Sequence, residues 1–234
     1  MFNRNRKVKE NNRAVSLITL IDKTSPISEQ YRSIRTNIQF SMVNNELQTL
    51  VITSSGPGEG KSTTSANLAV VFASSGFKVL LVDADLRKPT VDKTFVLPNY
   101  SGLSTLLGNR ATIEQAIQLS SIANLDILTS GPKPANPSEI LNSNRMNGII
   151  AEMKEKYDLI LFDMPPVVTV TDAQIMAAKA DGTILVVREN VTDKALLKKA
   201  KNLLEIVKAD FLGVVYNGAS RSKDKGYYYY GGEN

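Results

Sequence analysis

The chain has 234 residues, 42% of them hydrophobic, and a formal net charge of +5, which suits one α/β domain with a substantial core better than two small domains. It contains no cysteine, histidine or tryptophan, and this excludes disulfides, thiolate or imidazole chemistry and every common zinc or iron–sulfur ligand set. Catalysis is left to carboxylates, lysine or arginine, hydroxyls, backbone amides and a hard metal ion.

The opening stretch MFNRNRKVKENNR sets Arg4, Arg6, Lys7, Lys9 and Arg13 against Glu10 alone. It is charged where a signal peptide turns apolar, and no apolar run approaches the roughly 18 residues of a membrane span. The expectation is a cytoplasmic protein with a basic flexible arm over residues 1–24, since such a charge run is ordinarily a solvated arm. The next stretch, SPISEQYRSIRTNIQF, begins a helix at Ser25–Pro26 that extends over about 25–42. Glu29, Arg32 and Arg35 fall three apart on one face and Tyr31, Ile34 and Ile38 on the other, apolar, face. A triplet of that kind is by itself usually an exposed salt-bridged helix surface.

From there, short Val/Ile/Leu-rich runs alternate with helical spacing: TLVIT, KVLLVDAD, LDILTS, YDLILFD, GTILVV and FLGVVYN. Continuous apolar strands alternating with helices predict a mostly parallel sheet buried on both faces, a doubly wound α/β fold. The predicted domain spans residues 25–218, followed by a flexible tyrosine-rich tail over 219–234.

The first strand runs into SSGPGEGKSTTSANLAVVFA, a glycine-rich turn followed by a helix with Leu68, Val71 and Phe72 recurring on one face. This is the setting of a phosphate-binding loop, so the chain is predicted to have a P-loop NTPase fold. Gly56, Gly58 and Gly60 let backbone amides close on an oxyanion. The nucleotide-contacting run is Gly56, Gly58, Glu59, Gly60, Lys61, Ser62 and Thr63. Lys61 is expected at the β/γ phosphates and Ser62 in a Mg²⁺ shell. Ser55 stands where GxxxxGK[ST] has its first glycine.

In VLLVDADLRKP, Asp83 and Asp85 stand two apart at a strand end and point to one face, suiting metal and proton work. Arg87 and Lys88 beside them are candidates for phosphate or acidic substrate. In SGPKPANPSEIL, Asn136, Pro137 and Glu139 read as a capping box. YDLILFDMPP ends a strand in Asp163, where a carboxylate can hold Mg²⁺ directly or through water. DKALLKKAKNLLEIVK is amphipathic, with Leu196, Leu197, Leu203, Leu204 and Val207 available to the core and its lysines solvated. Asn217 ends the last strand, where related folds read the adenine. The tail KDKGYYYYGGEN presents Tyr227, Tyr228, Tyr229 and Tyr230 about ten residues beyond Asn217, a reach of roughly 35 Å when extended.

GEGKST, LLVDADLRKP, LILFDMPP and the terminal tyrosine cluster together resemble the bacterial tyrosine kinases of capsule and exopolysaccharide assembly, over nearly the whole chain from about Ser25. The resemblance implies Walker A, A′ and B motifs. Lys61 then serves the phosphates of ATP, Ser62, Asp85 and Asp163 surround Mg²⁺, and Asp83 receives the tyrosine proton. It further implies autophosphorylation of Tyr227–Tyr230 between subunits, and a ring-like homo-oligomer joined through the ExxRxxR residues Glu29, Arg32 and Arg35. Implied partners are a membrane adaptor whose cytoplasmic C-terminal segment activates the kinase and holds it at the inner face of the membrane, other tyrosine-bearing protein substrates, and a tyrosine phosphatase. Nucleic acid is not expected. The alternative is a nucleotide-gated positioning or assembly ATPase related to partitioning ATPases; those relatives carry a signature lysine where this chain has Gly56.

Overall fold

The computed structural model describes residues 14–44 and 47–219; the tyrosine cluster at 227–230 and the arm residues 1–13 lie outside the described residues. In chain order the elements begin with α1 (Ile18–Ile21), α2 (Pro26–Asn44), β1 (Thr49–Ser54), α3 (Lys61–Ala73) and β2 (Val79–Asp83). They continue with α4 (Val91–Phe95), α5 (Leu103–Leu107), α6 (Ile113–Ala116), β3 (Ile117–Leu119), β4 (Leu125–Leu128), α7 (Pro137–Leu141) and α8 (Asn144–Lys154). The last are β5 (Leu159–Asp163), α9 (Asp172–Ala177), β6 (Gly182–Arg188), α10 (Lys194–Ile206) and β7 (Phe211–Asn217). Among the described residues no helix is long and apolar enough to cross a membrane.

Seven strands form one sheet in the order β3-β4-β2-β5-β1-β6-β7. All pairings are parallel except β3 with β4. Period-two side-chain alternation explains why the central strands are apolar throughout. Val51, Leu80 and Val82 enter one core with Ile149, Met153, Met176 and Leu204, whereas Leu50, Ile52, Val79 and Leu81 enter a second core with Tyr31, Ile38, Leu68 and Phe72. Each central strand thus divides its side chains between two helical layers, as the doubly wound fold requires.

Three expectations are corrected, and one strand was not anticipated. β3 is a three-residue antiparallel edge strand, Ile117↔Leu128 to Leu119↔Asp126, too short to stand out as an apolar run. α3 is not buried on one face only: every residue from Thr64 to Ala73 is buried, because α1 and α2 cover its outer side. Residues 14–24, assigned to the arm from composition, instead carry α1. There Asn67 Oδ1 accepts from the Thr19 amide (3.1 Å) and hydroxyl (2.8 Å), and Asn67 Nδ2 donates to the Ser16 carbonyl (2.8 Å). On α10 Leu204 is in the core and Leu197 and Leu203 pack against it as expected, whereas Leu196 is left 40% exposed.

The helix starts differ in quality. Ser25 behaves as expected before Pro26, its hydroxyl accepting the Ser28 amide at 3.2 Å. α7 does begin at Pro137, but Asn136 makes no side-chain cap bond. Its Nδ2 donates to Glu139 Oε2 at 3.0 Å instead, so the expected capping box is replaced by a side-chain pair.

Candidate active site

The site forms where β1, β5 and β2 lie side by side and end together. Asp83 and Asp163 are register partners across β2 and β5, and the loop after β1 turns over them into α3. In parallel sheets this edge is where ligands sit.

Gly58 and Gly60 take left-handed backbone at φ 79° and 95°, which glycine adopts without Cβ strain. Gly60 has a second reason to be glycine: a Cβ there would lie 2.0 Å from Asn217 Nδ2. That amide donates to the Glu59 carbonyl at 3.1 Å, while Arg188 Nη1 donates to the Gly58 carbonyl at 3.2 Å. Glu59 folds under the loop, 2% exposed. Its Oε2 accepts the Ser55 amide at 2.9 Å and its Oε1 the Ser55 hydroxyl at 2.7 Å. Ser55 is therefore accommodated for a stated reason. It does not take the left-handed backbone, and its hydroxyl supplies a bond across the loop that glycine lacks.

Lys61 opens α3 and crosses to the carboxylates. Its Nζ lies 3.0 Å from Asp85 Oδ2 and 3.6 Å from Asp163 Oδ1, and it donates to Ser62 Oγ at 3.1 Å. Burial alone would depress Lys61, but the Asp163 and Asp85 charges hold it above its usual value. Asp83 is fully buried. Its Oδ2 accepts the amides of Thr90 (3.0 Å) and Val91 (2.9 Å), and its Oδ1 is a buried atom without a partner. Burial first, and the Asp163 charge second, push Asp83 up to about 8. Burial also raises Asp163 against the pull of Lys61; its Oδ1 accepts from Ser65 Oγ at 3.1 Å, and its Oδ2 has no partner. Thr63 lies in the first turn of α3, its carbonyl accepting from Asn67 Nδ2 at 2.9 Å.

The structure brings together Lys61, Ser62, Asp83, Asp85 and Asp163, with Gly56 to Gly60 above them. Asn217 is adjacent, bonded to the loop backbone. Arg87 pairs with Asp172, Nε to Oδ2 and Nη2 to Oδ1 at 2.8 and 3.0 Å. The α2 triplet is divided. Arg32 pairs with Glu29 and donates to the Lys23 carbonyl at 2.6 Å, whereas Arg35 Nη1 donates to the Val71 carbonyl of α3 at 3.1 Å. Ser65, Arg188 and the Thr90–Val91 amides were not legible in the sequence, because no motif spacing announces a hydroxyl or an amide turned toward a distant carboxylate.

Asp163 Oδ2, a buried oxygen without a partner beside the Lys61 ammonium, leaves room for a hard cation. Among the described residues no group of three or more His, Cys, Asp or Glu side chains closes as a metal cage. Nucleotide sites hold Mg²⁺ through one or two carboxylates plus the phosphates. The geometry therefore offers amides and a lysine for a polyphosphate, oxygen ligands for a cation that accompanies it, and a separate buried carboxylate.

The family described as an AAA domain matches residues 47–209. Tyrosine-protein kinase YwqD of Bacillus subtilis (strain 168) is 49% identical over 216 residues, 92% of this chain and 91% of that protein. The putative tyrosine-protein kinase CapB of Staphylococcus aureus is 45% identical over 210 residues, covering 90% and 92%. The crystal structure of the chimerical protein CapA2B2 superposes with a TM-score of 0.83 at 44% identity, covering 87% of this chain and 91% of that one.

Proposed function

The chain belongs to the bacterial tyrosine-protein kinases, and on that premise we propose that it transfers the terminal phosphoryl group of ATP to the hydroxyls of Tyr227–Tyr230 on a neighbouring subunit and to tyrosines of other proteins. The observation that carries this reading is the convergence of Lys61 on Asp85 and Asp163, 3.0 and 3.6 Å away, at the end of the glycine-rich loop. In metal-free protein these groups neutralise one another. When the polyphosphate arrives, the glycine-loop amides and the α3 N-terminus take its oxygens, and Lys61 exchanges the carboxylates for the β/γ phosphates. Asp85, Asp163 and Ser62 are then the residues that would hold Mg²⁺. The ion supplies charge neutralisation for the phosphates when bound.

Asp83 is the proton acceptor in this reading, in its ionised form, which a cation held by Asp85 and Asp163 would favour. The Thr90 and Val91 amides fix its plane, leaving Oδ1 for the substrate hydroxyl. As the tyrosine oxygen bonds to phosphorus, the bond to the departing ADP oxygen breaks and the phenolic proton passes to Asp83. Asn217 is placed to order the loop, and reading of the adenine is a further role for it.

We assign residues 25–218 to the catalytic unit and 219–234 to the substrate tail. A membrane adaptor with a cytoplasmic activating segment, a ring of subunits joined through Glu29, Arg32 and Arg35, a counteracting phosphatase and a role in exopolysaccharide or capsule synthesis complete the proposal. The test is incorporation of label from ATP with Mg²⁺, in the presence of the adaptor segment. Wild type acquires phosphate on Tyr227–Tyr230, Lys61→Met acquires none, and Asp83→Asn binds nucleotide but falls by about 10²-fold or more in transfer. Phosphate release with an unlabelled tail would instead establish the positioning-ATPase alternative.

A further inference from the structure

The turn after β2 is closed on itself by its own carboxylates. Asp83 takes the Thr90 and Val91 amides, and Asp85 Oδ1 takes the Lys88 amide at 3.0 Å, which leaves Oδ2 for Lys61. Between these pins sits Arg87, held from outside the turn. Its Nε donates to Asp172 Oδ2 at 2.8 Å, and its Nη2 donates to Asp172 Oδ1 at 3.0 Å and to Ser138 Oγ at 3.0 Å. Ser138 Oγ in turn donates to Asp172 Oδ1 at 2.6 Å. Asp172 is fully buried and opens α9. It is therefore the far end of the connection that starts at Asp163, just as Arg87 belongs to the connection that carries Asp85.

We propose that the Arg87–Asp172–Ser138 clasp is a positioning device that sets the separation of Asp85 and Asp163, and with it the affinity of the site for the cation. The inference rests on the assignment of those two carboxylates to Mg²⁺. A buried ion pair is a poor source of net stability, because desolvation offsets attraction. Its bidentate planar fork is a good source of geometric register. Here it ties two loops that share no strand, and each loop presents one carboxylate to the same cation. Outer partners of metal ligands act in this way, and their loss weakens metal binding by about 10- to 100-fold. Among the described residues Arg87, Asp172 and Ser138 are bonded to one another and not to the phosphate loop, so nucleotide binding without metal is left unchanged.

The experiment follows retention of a fluorescent ADP analogue by the full chain as Mg²⁺ is titrated, with the same measurement in chelator and a thermal midpoint for each variant. Arg87→Lys keeps the charge and loses the fork. It is expected to raise the Mg²⁺ midpoint about tenfold with chelator-state affinity at the wild-type value. Ser138→Ala shifts the midpoint in the same direction by less, and it decides alone if Arg87→Lys does not fold. Asp85→Asn is the reference. The clasp is merely structural, and the proposal overturned, if both variants lower the thermal midpoint but keep the wild-type Mg²⁺ midpoint while Asp85→Asn shifts it. If Asp85→Asn itself shifts nothing, the metal assignment falls and takes the clasp with it.

Discussion

Asp83 holds two backbone amides with one oxygen and nothing with the other. Burial and the Asp163 charge raise it to about 8, against about 3.9 for an aspartate in an unfolded chain. The folded state therefore binds the extra proton between those values, and stability falls as pH rises from about 4 to about 8. In chelator, the thermal midpoint should decline from pH 5 to pH 8, and Asp83→Asn should reduce that decline. An equal slope in the variant would show that Asp83 is already ionised across this range. Glu59 is the second informative residue. Glu59→Ala leaves the Ser55 amide and hydroxyl without their buried acceptor and should cost about 1–3 kcal/mol, with a loss of nucleotide affinity that Ser55→Gly reproduces only in part. Chemical denaturation and ADP titration measure the two effects.

At the scale of elements, the phosphate-loop helix is unusual in being buried all round. α3 is a core helix between the sheet and a second layer made by α1 and α2, and Asn67 is the polar joint within it, bonded to Thr19, Ser16 and Thr63. Asn67→Ala removes these bonds together. It should release the short α1, which at four residues has no independent stability, and limited proteolysis should then cut between Ser16 and Lys23 before the domain unfolds. Protection equal to wild type would mean that apolar contacts alone retain α1. The same layer explains Arg35: by capping the Val71 carbonyl it fixes α2 on α3, so any subunit contact through the α2 triplet is also coupled to the helix that starts at Lys61.

For the molecule as a whole, each of the three motifs comes from a different strand, and β5 places Asp163 between the strand ends that carry the phosphate loop and Asp83. A nucleotide that engages all three binds the folded chain and not the unfolded one. At a hundred times its Kd, Mg²⁺-ADP should add about 2.7 kcal/mol to stability. Chelation should remove part of that gain, and Asp163→Asn should abolish the metal-dependent part. A gain that is the same with and without Mg²⁺ would separate the carboxylates from nucleotide binding.

Much of this protein was legible from residue order. Six apolar runs and the helical spacing between them named a doubly wound sheet, because strands buried on both faces leave a continuous hydrophobic record. The run from Gly56 to Thr63 named a phosphate loop, and its left-handed turns at Gly58 and Gly60 are ones that glycine adopts without strain. Asp83 and Asp163 were placed at strand ends by the apolar runs that precede them, whereas Asp85, read as part of the same strand, lies two residues beyond it. Sequence order carries no information on which distant groups meet. The strand β3, the covering of α3 by α1, the loop brace of Glu59 and Ser55, and the pairing of Arg87 with Asp172 all depend on groups that meet across the fold, and packing of the two helical layers on the sheet decided them.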